Sequence, residues 1–329
     1  MRDRINIKTI AEKAGVSVAT VSRVINQNGR FSAETEAMVR RVMEEMDYHP
    51  NTIAKSLREN HSHIIGVIVP DIMNAHFAGL VLEIEKNLFR HAYSTVICNT
   101  NESDALERKH IDTLLSQRVS GIVFISGKRH YSLDDVTVVY VDRRPDNYEI
   151  DDDCVVIESD NESGGYLAAR CLIDKGCRDI TMLYAHNMDH NQKMRIAGYE
   201  RALREQALAA KTICVDTITA VAAAEKIKEH IRAGCRPDGL VCTTDILAIG
   251  AMIGLRELGI CVPQEVKVTG YDDSMLAALY NPAITSVRQS IEDMAQKTVD
   301  SLLERIDGGG KERARHVLPV HLVERETTK

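Results

Sequence analysis

Length, composition and charge narrow the classes to which this chain can belong. A chain of 329 residues is too long to fold around one small core, and this length predicts two or three structural units. A content of 44% hydrophobic and 27% charged residues is that of a soluble globular chain and excludes a disordered one. No apolar run has the length of a bilayer span, and the N-terminal residues lack the apolar stretch of a secretory signal. We therefore expect a cytoplasmic protein without a membrane contact.

Charge is distributed unevenly along the chain. Residues 1–61, here called the head, carry ten Lys and Arg against eight Asp and Glu, a net charge of +2. Residues 62–329, here called the body, carry 31 against 40, a net charge of −9, so that the two parts sum to −7. Only the head has the electropositive balance that attracts phosphates. A nucleic-acid contact is therefore predicted in the head.

Metal and cofactor sites are not indicated. The eight cysteines are scattered through the body without a Cys-x-x-Cys pair, which favours reduced, buried thiols over a zinc site or a disulfide framework. His186 and His190 lie in an unusually polar segment and raise the alternative of a metal site. They do not lie on a convincing helix and lack cysteine or clustered carboxylate partners. We predict no metal and no cofactor.

The head begins with two short helices separated by a glycine. Residues 7–14 form the first, with Asn6 as its N-cap and an apolar face, and Gly15 ends it. Ser17 caps the second helix, residues 18–26. The apolar faces of the two helices consist of Ile7, Ile10, Ala11 and Ala14 in the first and of Val21, Val24 and Ile25 in the second.

A third helix is predicted over about residues 32–47. Its inward side chains are predicted to be Met38, Val39, Val42, Met43 and Met46. Three short helices with a glycine turn indicate a helix-turn-helix, although a small helical bundle without a nucleic-acid role fits the spacing as well.

The residues themselves decide between these alternatives. The segments IAEKAGVSVATVSRVIN and FSAETEAMVRRVMEEMDYHPNTIAKSL closely resemble the DNA-binding head of the lac repressor family, over about fifty positions. The resemblance implies that the second helix reads the major groove. Val18 and Ala19 take the base-reading positions, where small apolar side chains contact thymine methyl groups, and Arg23 is suited to guanine. The resemblance also implies that a further set of residues contacts the phosphates of the DNA backbone: Asn6, Ser17, Thr20, Ser22 and Asn26.

Residues 51–61 resemble the hinge of the same family. Asn51, Ala54 and Leu57 match its N-x-x-A-x-x-L pattern, in which a short helix forms on DNA and its leucine enters the minor groove. From the residues alone, this polar segment is equally a simple tether. The organisation we predict is a DNA-binding domain over residues 1–50, a hinge over 51–61 and an effector-binding and dimerisation domain over 62–329.

The body alternates β-rich runs with amphipathic segments. Nine such runs, from IIGVIVP to ITSV, are separated mostly by helical stretches, which predicts parallel sheets. The fold class is therefore α/β, a small all-α head followed by a two-lobed body that is similar to periplasmic sugar-binding proteins. The N-lobe is expected at about 62–161 and 290–320, and the C-lobe at about 162–289 and 321–329.

Polar side chains follow many of these strands, where parallel sheets bind ligands. About half of them can equally be helix N-caps. By resemblance, Arg195 and Asp272 are expected as opposing grips on ligand hydroxyls, with His76 and Phe77 as a stacking wall. His76 and Thr244 depart from the residues usual in the family, so the resemblance leaves the effector open. The full effector set is Asp71, Asn74, His76, Phe77, Asp142, Asp160, Arg195, Thr244, Asp272 and Gln289.

Three functions follow from different readings of the body. An enzyme would use Asp142, Asp160 or Asp272 as a general acid or base, but the chain has no nucleophile elbow, P-loop or dinucleotide fingerprint. A transport-type binding protein would need a secretory signal. The head favours the third function, a repressor of carbohydrate-utilisation genes that binds a pseudo-palindromic operator and is switched by a sugar. We expect a homodimer, because one reading helix specifies too few bases, and no tetramer, because the terminal residues lack a leucine heptad.

Overall fold

A computed structural model gives the structure of the chain and describes residues 5–48, 62–125, 131–133, 136–145, 154–186, 189–309 and 314–329. The chain divides into two compact units, Met1–Ser62 and His63–Lys329. The predicted hinge residues Asn51, Ala54 and Leu57 lie outside the described residues. None of the helices in the described ranges is long and apolar enough to cross a membrane.

The head contains the three predicted helices: α1 (Ile7–Ala14), α2 (Val18–Asn26) and α3 (Ala33–Glu45). Gly15 ends α1 with a left-handed backbone (φ 66°) that glycine adopts without strain. Ile10, Val21 and Val39 are completely buried where the three helices meet. Met38 was predicted to point inward and does not, since its side chain is 44% exposed. The buried face of α3 is narrower than the apolar pattern and centres on Val39 and Val42.

The first lobe of the body contains a six-stranded parallel sheet in the order β11-β5-β4-β3-β1-β2. Its central strands β1, β3 and β4 are almost wholly buried, as the apolar runs of a parallel sheet covered on both faces require. The strands are β1 (Ile64–Val69), β2 (Ser94–Asn99), β3 (Gly121–Phe124), β4 (Thr137–Val141), β5 (Val155–Ser159) and β11 (Ala314–Leu318).

The second lobe contains a matching sheet in the order β12-β10-β9-β8-β6-β7, in which β12 alone runs antiparallel to its neighbour. Three strands were not predicted, and β7, β11 and β12 all lie at sheet edges, where burial is incomplete and the apolar signal is weak. The strands are β6 (Ile180–Ala185), β7 (Lys211–Val215), β8 (Gly239–Cys242), β9 (Lys267–Asp272), β10 (Thr285–Gln289) and β12 (Val320–Val323).

Helices cover both sheets, and the chain passes between the lobes after β5, after β10 and between β11 and β12. The last long helix therefore packs on the first lobe, where Met294, Val299 and Leu302 join its core. The helices of the body are α4 (Ala75–Arg90), α5 (Asp104–Ser116), α6 (Asn161–Asp174), α7 (His190–Glu205), α8 (Ala220–Arg232), α9 (Asp245–Glu257), α10 (Met275–Leu279) and α11 (Ile291–Ile306), followed by a 3-10 turn at Glu326–Thr328.

Two glycines bring α6 and α7 into direct backbone contact. A Cβ on Gly165 would lie 1.9 Å from the carbonyl oxygen of Arg195, and a Cβ on Gly198 would lie 1.9 Å from that of Glu162. Any side chain at either position would push the helices apart. This close contact determines where Arg195, on α7, lies relative to the sheet.

Candidate functional site

The exposed face of α2 carries the three predicted base-reading residues. Val18 is 40% exposed, and Ala19 and Arg23 are also exposed, whereas Val21 and Val24 of the same helix are buried. A Cβ on Gly29 (φ 87°) would lie 3.2 Å from Cδ of Arg23, so the aliphatic stem of Arg23 runs along a position where glycine leaves space. The solvent-facing surface of α2 therefore carries the apolar side chains of Val18 and Ala19 and the cationic side chain of Arg23.

Two of the predicted phosphate-binding residues, Asn6 and Ser17, are helix N-caps, where backbone N–H groups and the helix dipole favour anions. The Asn6 side chain accepts hydrogen bonds from the N–H groups of Lys8 and Thr9 at 2.9 and 3.2 Å. Ser17 Oγ accepts from the N–H of Thr20 at 3.1 Å and also lies 2.9 Å from Thr20 Oγ1. These side chains cap their helices in the structure. Ser22 is half-buried in the middle of α2, and Asn26 is its last residue.

A cavity of about 400 Å³ opens at the carboxyl ends of the strands of the body. A smaller polar extension of about 30 Å³ shares His76, Phe77 and Asp272 with it. Both lobes contribute, with Asp142 following β4 in the first and Asp272 ending β9 in the second. The two cavities are lined by Asp71, Met73, Asn74, Ala75, His76, Phe77, Glu102, Asp142, Arg143, Ala185, Asp189, Asn191, Gln192, Arg195, Asp216, Thr217, Ile218, Thr244, Asp245, Ile246, Ile249, Asp272, Ser274 and Leu276.

The first lobe contributes a buried ion pair. His76 Nε2 lies 3.0 Å from Asp142 Oδ1, and both side chains are almost fully buried. Burial alone lowers the pKa of His76, but the charge and hydrogen bond of Asp142 outweigh it and raise that pKa above its ordinary value. The same pair lowers the pKa of Asp142 against the effect of burial. The contact between His76 and Asp142 therefore favours the charged form of each side chain.

The second lobe contributes a buried guanidinium. Arg195 Nε donates to Asn161 Oδ1 at 2.8 Å, Nη1 donates to the carbonyl oxygen of Thr243 at 2.6 Å, and the guanidinium carbon lies 3.6 Å from the centroid of the Tyr271 ring. Asp272 Oδ1 is 3.8 Å from Nη1. Burial raises the pKa of Asp272, although nearby His76 and Arg195 partly oppose the shift.

Several contacts cross between the lobes at the cavity. Arg143 Nε lies 3.1 Å from Asp189 Oδ2, while Nη1 of the same guanidinium donates to Glu102 at 2.7 Å. The Asn191 amide donates to the carbonyl oxygen of Asp142 at 2.9 Å. The Gln289 amide of the second lobe lies 3.3 Å from His76 Nε2 of the first, and within its own lobe it donates to Asp272 at 2.9 Å. The two lobes are therefore held around the cavity by charged and amide side chains.

Three expectations from the sequence need correction. Asp160 does not line the cavity: it is the N-cap of α6, and its carboxylate accepts from the N–H and Oγ of Ser163 at 2.9 and 2.7 Å. Arg195 and Asp272 belong to one lobe, as the predicted lobe boundaries require, but they lie side by side at 3.8 Å and do not oppose each other. His76 is an ion-pair partner instead of a stacking surface, and the Arg143 guanidinium lies 5.0 Å from the Phe77 ring centroid, covering that ring.

The other predicted effector residues lie at the cavity, with different roles. Asp71 is exposed at its outer part, and Asn74 and Thr244 line it while capping α4 and α9. Gln289 does not line it but reaches it through Asp272. Sequence reasoning did not select Arg143 or Asn191, and it considered Asp245 as a polar residue at a strand end without including it in the effector set. Arg143 directly follows Asp142, and Asn191 follows a polar loop, so each was adjacent to a residue already considered.

His186 and His190 were the alternative metal site. In the structure each histidine contacts a different residue, so the two do not share a site. His186 Nδ1 lies 3.9 Å from Cys214 Sγ, and His190 Nδ1 accepts from Arg144 at 2.9 Å. Burial and the Arg144 guanidinium lower the pKa of His190. Among the described residues there is no group of three or more His, Cys, Asp or Glu side chains that could hold a metal ion.

An exposed reading helix in a helix-turn-helix, followed in the same chain by a two-lobed body with a ligand-sized polar cavity, defines a ligand-responsive DNA-binding regulator. Residues 6–51 match the model of bacterial regulatory proteins of the lacI family, and residues 169–328 match that of a periplasmic binding protein-like domain. The HTH-type transcriptional repressor PurR of Vibrio atlanticus (strain LGP32) is 34% identical over 338 residues, covering 98% of each chain. The chain belongs to the lacI family.

Two further relatives agree with this assignment. The ribose operon repressor of Halalkalibacterium halodurans is 30% identical over 98% of this chain and 97% of its own. The lac repressor dimer bound to operator and the anti-inducer ONPF matches with a TM-score of 0.86 and 27% identity over 99% of both chains. The chain is thus a DNA-binding transcriptional regulator that responds to a small molecule, and it is not an enzyme.

Proposed function

We propose that this regulator is a cytoplasmic homodimeric repressor whose affinity for a pseudo-palindromic operator is controlled by a sugar bound in the body. The names of its relatives support repression, and two of them point to carbohydrate chemistry: a ribose operon repressor and a lac repressor. The DNA-binding domain comprises residues 1–50, the hinge residues 51–61, and the effector-binding and dimerisation domain residues 62–329. Asn51, Ala54 and Leu57 act in the hinge.

The main support for a sugar ligand is the mixture of hydrogen-bond donors and acceptors at the inner end of the cavity. Carboxylates of Asp142 and Asp272 lie among the guanidinium groups of Arg143 and Arg195. Such groups hold vicinal hydroxyls with directional, charge-assisted bonds. A hydroxyl both donates and accepts, so one class of ligand satisfies both kinds of protein group.

Buried polar atoms without partners support the same assignment. At the inner end of the cavity, His76 Nδ1 and Asn191 Oδ1 are buried and form no hydrogen bond with any other described residue. Leaving such atoms unsatisfied is costly. His76 Nδ1 donates when the imidazole is protonated and Asn191 Oδ1 accepts, which is a pattern that a polyol can satisfy and a hydrocarbon cannot.

On DNA, α2 reads the major groove. Arg23 supplies the bidentate contact to guanine, and Val18 and Ala19 contact thymine methyl groups. Asn6, Ser17, Thr20, Ser22 and Asn26 contact phosphates and set the register. One helix with a single long polar reader specifies too few base pairs, and a two-fold dimer doubles the number of contacts.

The experiment combines two measurements on the full chain. Selection from random DNA followed by fluorescence anisotropy identifies the operator, and thermal unfolding is measured with free pentoses and hexoses, disaccharides, sugar acids and nucleobases. We expect a pseudo-palindromic operator and stabilisation by at least one sugar, which then changes operator affinity. Stabilisation by nucleobases alone would overturn the sugar assignment, and loss of selective DNA binding would overturn the repressor assignment.

A further inference from the structure

The charges around the cavity are strongly unbalanced toward the negative side. The cationic groups among its described lining residues are the guanidinium groups of Arg143 and Arg195 and the imidazole of His76, and each already faces a carboxylate. Arg143 is shared between two carboxylates. These three cationic groups therefore already interact with carboxylates of the protein itself.

The other carboxylates of the described lining have no cationic partner in the part of the chain that the structure describes. Asp71 and Asp216 are exposed at the outer part of the cavity and form no ion pair with a described residue. Asp245 is buried and accepts from Oγ of Ser286 at 2.6 Å and from the N–H of Ser274 at 2.7 Å. Among the described lining residues, an anionic ligand would meet these charges without a free cation to bind it.

The outer part of the cavity has an apolar wall that a bare sugar would not cover. Ile218, Ile246 and Ile249 line it, and Met73 and Leu276 lie at its mouth with 85% and 50% of their surfaces exposed. The inner end, by contrast, is lined by polar side chains except for Phe77 and Ile218, which it shares with the outer part. Large exposed apolar side chains beside a polar pocket indicate a surface that a ligand covers.

We propose that the effector is an uncharged glycoside, in which the sugar occupies the polar inner end and an apolar aglycone lies against Ile246, Ile249 and Leu276. The site discriminates against sugar phosphates and sugar acids. This inference rests on the proposed sugar response and specifies its ligand class. The cavity volume of about 400 Å³ is consistent with a ligand larger than a free monosaccharide.

The test uses isothermal titration calorimetry on the full chain with four matched series, built on D-glucose, D-galactose, D-ribose and D-xylose. Each series contains the methyl glycoside, the phenyl glycoside and a phosphate ester. In the series that binds, we expect the phenyl glycoside to bind about tenfold tighter than the methyl glycoside. The reason is that the phenyl ring buries the apolar side chains of the outer wall, which a methyl group leaves exposed. The phosphate ester should bind at least about tenfold more weakly than the methyl glycoside.

A pair of matched variants locates the aglycone. Leu276→Asn should bring the ratio of phenyl to methyl affinity close to one, whereas Leu279→Asn, on the same helix and 73% exposed but outside the cavity lining, should leave it unchanged. Equal or tighter binding of a phosphate ester overturns the inference, and so does an aryl preference that Leu276→Asn leaves intact. Failure of all the compounds in every series instead overturns the proposed sugar response itself.

Discussion

Replacement of Arg195 by alanine tests whether this side chain holds the second lobe together at the cavity. Its guanidinium bonds Asn161 and the carbonyl oxygen of Thr243, stacks on Tyr271 and lies 3.8 Å from Asp272. Alanine removes all four contacts at once. Asn161 Oδ1 keeps the Tyr271 hydroxyl as a donor at 3.3 Å, whereas the Thr243 carbonyl loses the guanidinium.

The magnitude follows from the buried carboxylate that alanine leaves behind. Removing one partner of a buried ion pair costs about 3 to 5 kcal/mol, and one abandoned buried hydrogen-bonding group costs about 1 to 3 kcal/mol. Because these costs overlap, we expect Arg195→Ala to lower the free energy of unfolding of the body by about 4 kcal/mol. At about 2 to 4 °C per kcal/mol for a domain of this size, its Tm should fall by about 8 to 16 °C.

The assay is thermal unfolding followed by far-ultraviolet circular dichroism, since the chain has no tryptophan. Arg201→Ala is the matched control: it lies on the same helix, and its salt bridge to Glu162 is largely solvent-exposed. The control should change stability by less than about 1 kcal/mol. If the two variants unfolded at the same temperature, the contacts of Arg195 would contribute nothing beyond a surface ion pair and the reasoning would be refuted.

Two further predictions concern the reading helix and the buried acid. Arg23→Ala should weaken binding to the selected operator by about 1 to 3 kcal/mol per half-site in anisotropy titrations while leaving salt-dependent binding to random DNA; equal loss on both DNAs would contradict base reading. Burial and the charge of Asp272 raise the pKa of Asp245 to about 7, so the folded state holds the proton more tightly and stability falls as pH rises toward that value. Asp245→Asn keeps partners for Ser274 and Ser286, and in urea unfolding it should be more stable than wild type near pH 8.5 and equal to it near pH 4; a difference independent of pH would disprove the linkage.

Local features of the fold could be predicted from the sequence because their causes are local. Asn6 and Ser17 cap their helices as expected, since the capping bond joins residues two or three positions apart. The buried strands were recognised from their apolar runs. Strands β7, β11 and β12 were missed because edge strands carry polar residues on their open side, which weakens the pattern.

The cavity could be predicted only in part, because its geometry depends on how distant segments meet. Most of the predicted residues at strand ends line the cavity, but helix capping by Asp160 and cavity lining by Asp142 leave the same local pattern in the sequence. The predicted lobe boundaries already placed Arg195 and Asp272 in one lobe, but their distance of 3.8 Å and the position of Arg143 over Phe77 follow from packing. Neither relation has a sequence signature of its own.

The central claim is that a sugar bound in the body controls DNA binding by the head, and Asp272→Asn tests it most directly. Asparagine retains an oxygen that can accept from the Gln289 amide, so the fold should be preserved while a charge-assisted ligand contact is lost. The measurement is an operator titration of wild type and variant, with and without the sugar that stabilises the wild-type chain most. We predict equal operator affinity without sugar and a response of about 1 to 3 kcal/mol in the wild type alone. A variant that responds at the same sugar concentrations as wild type would contradict the account.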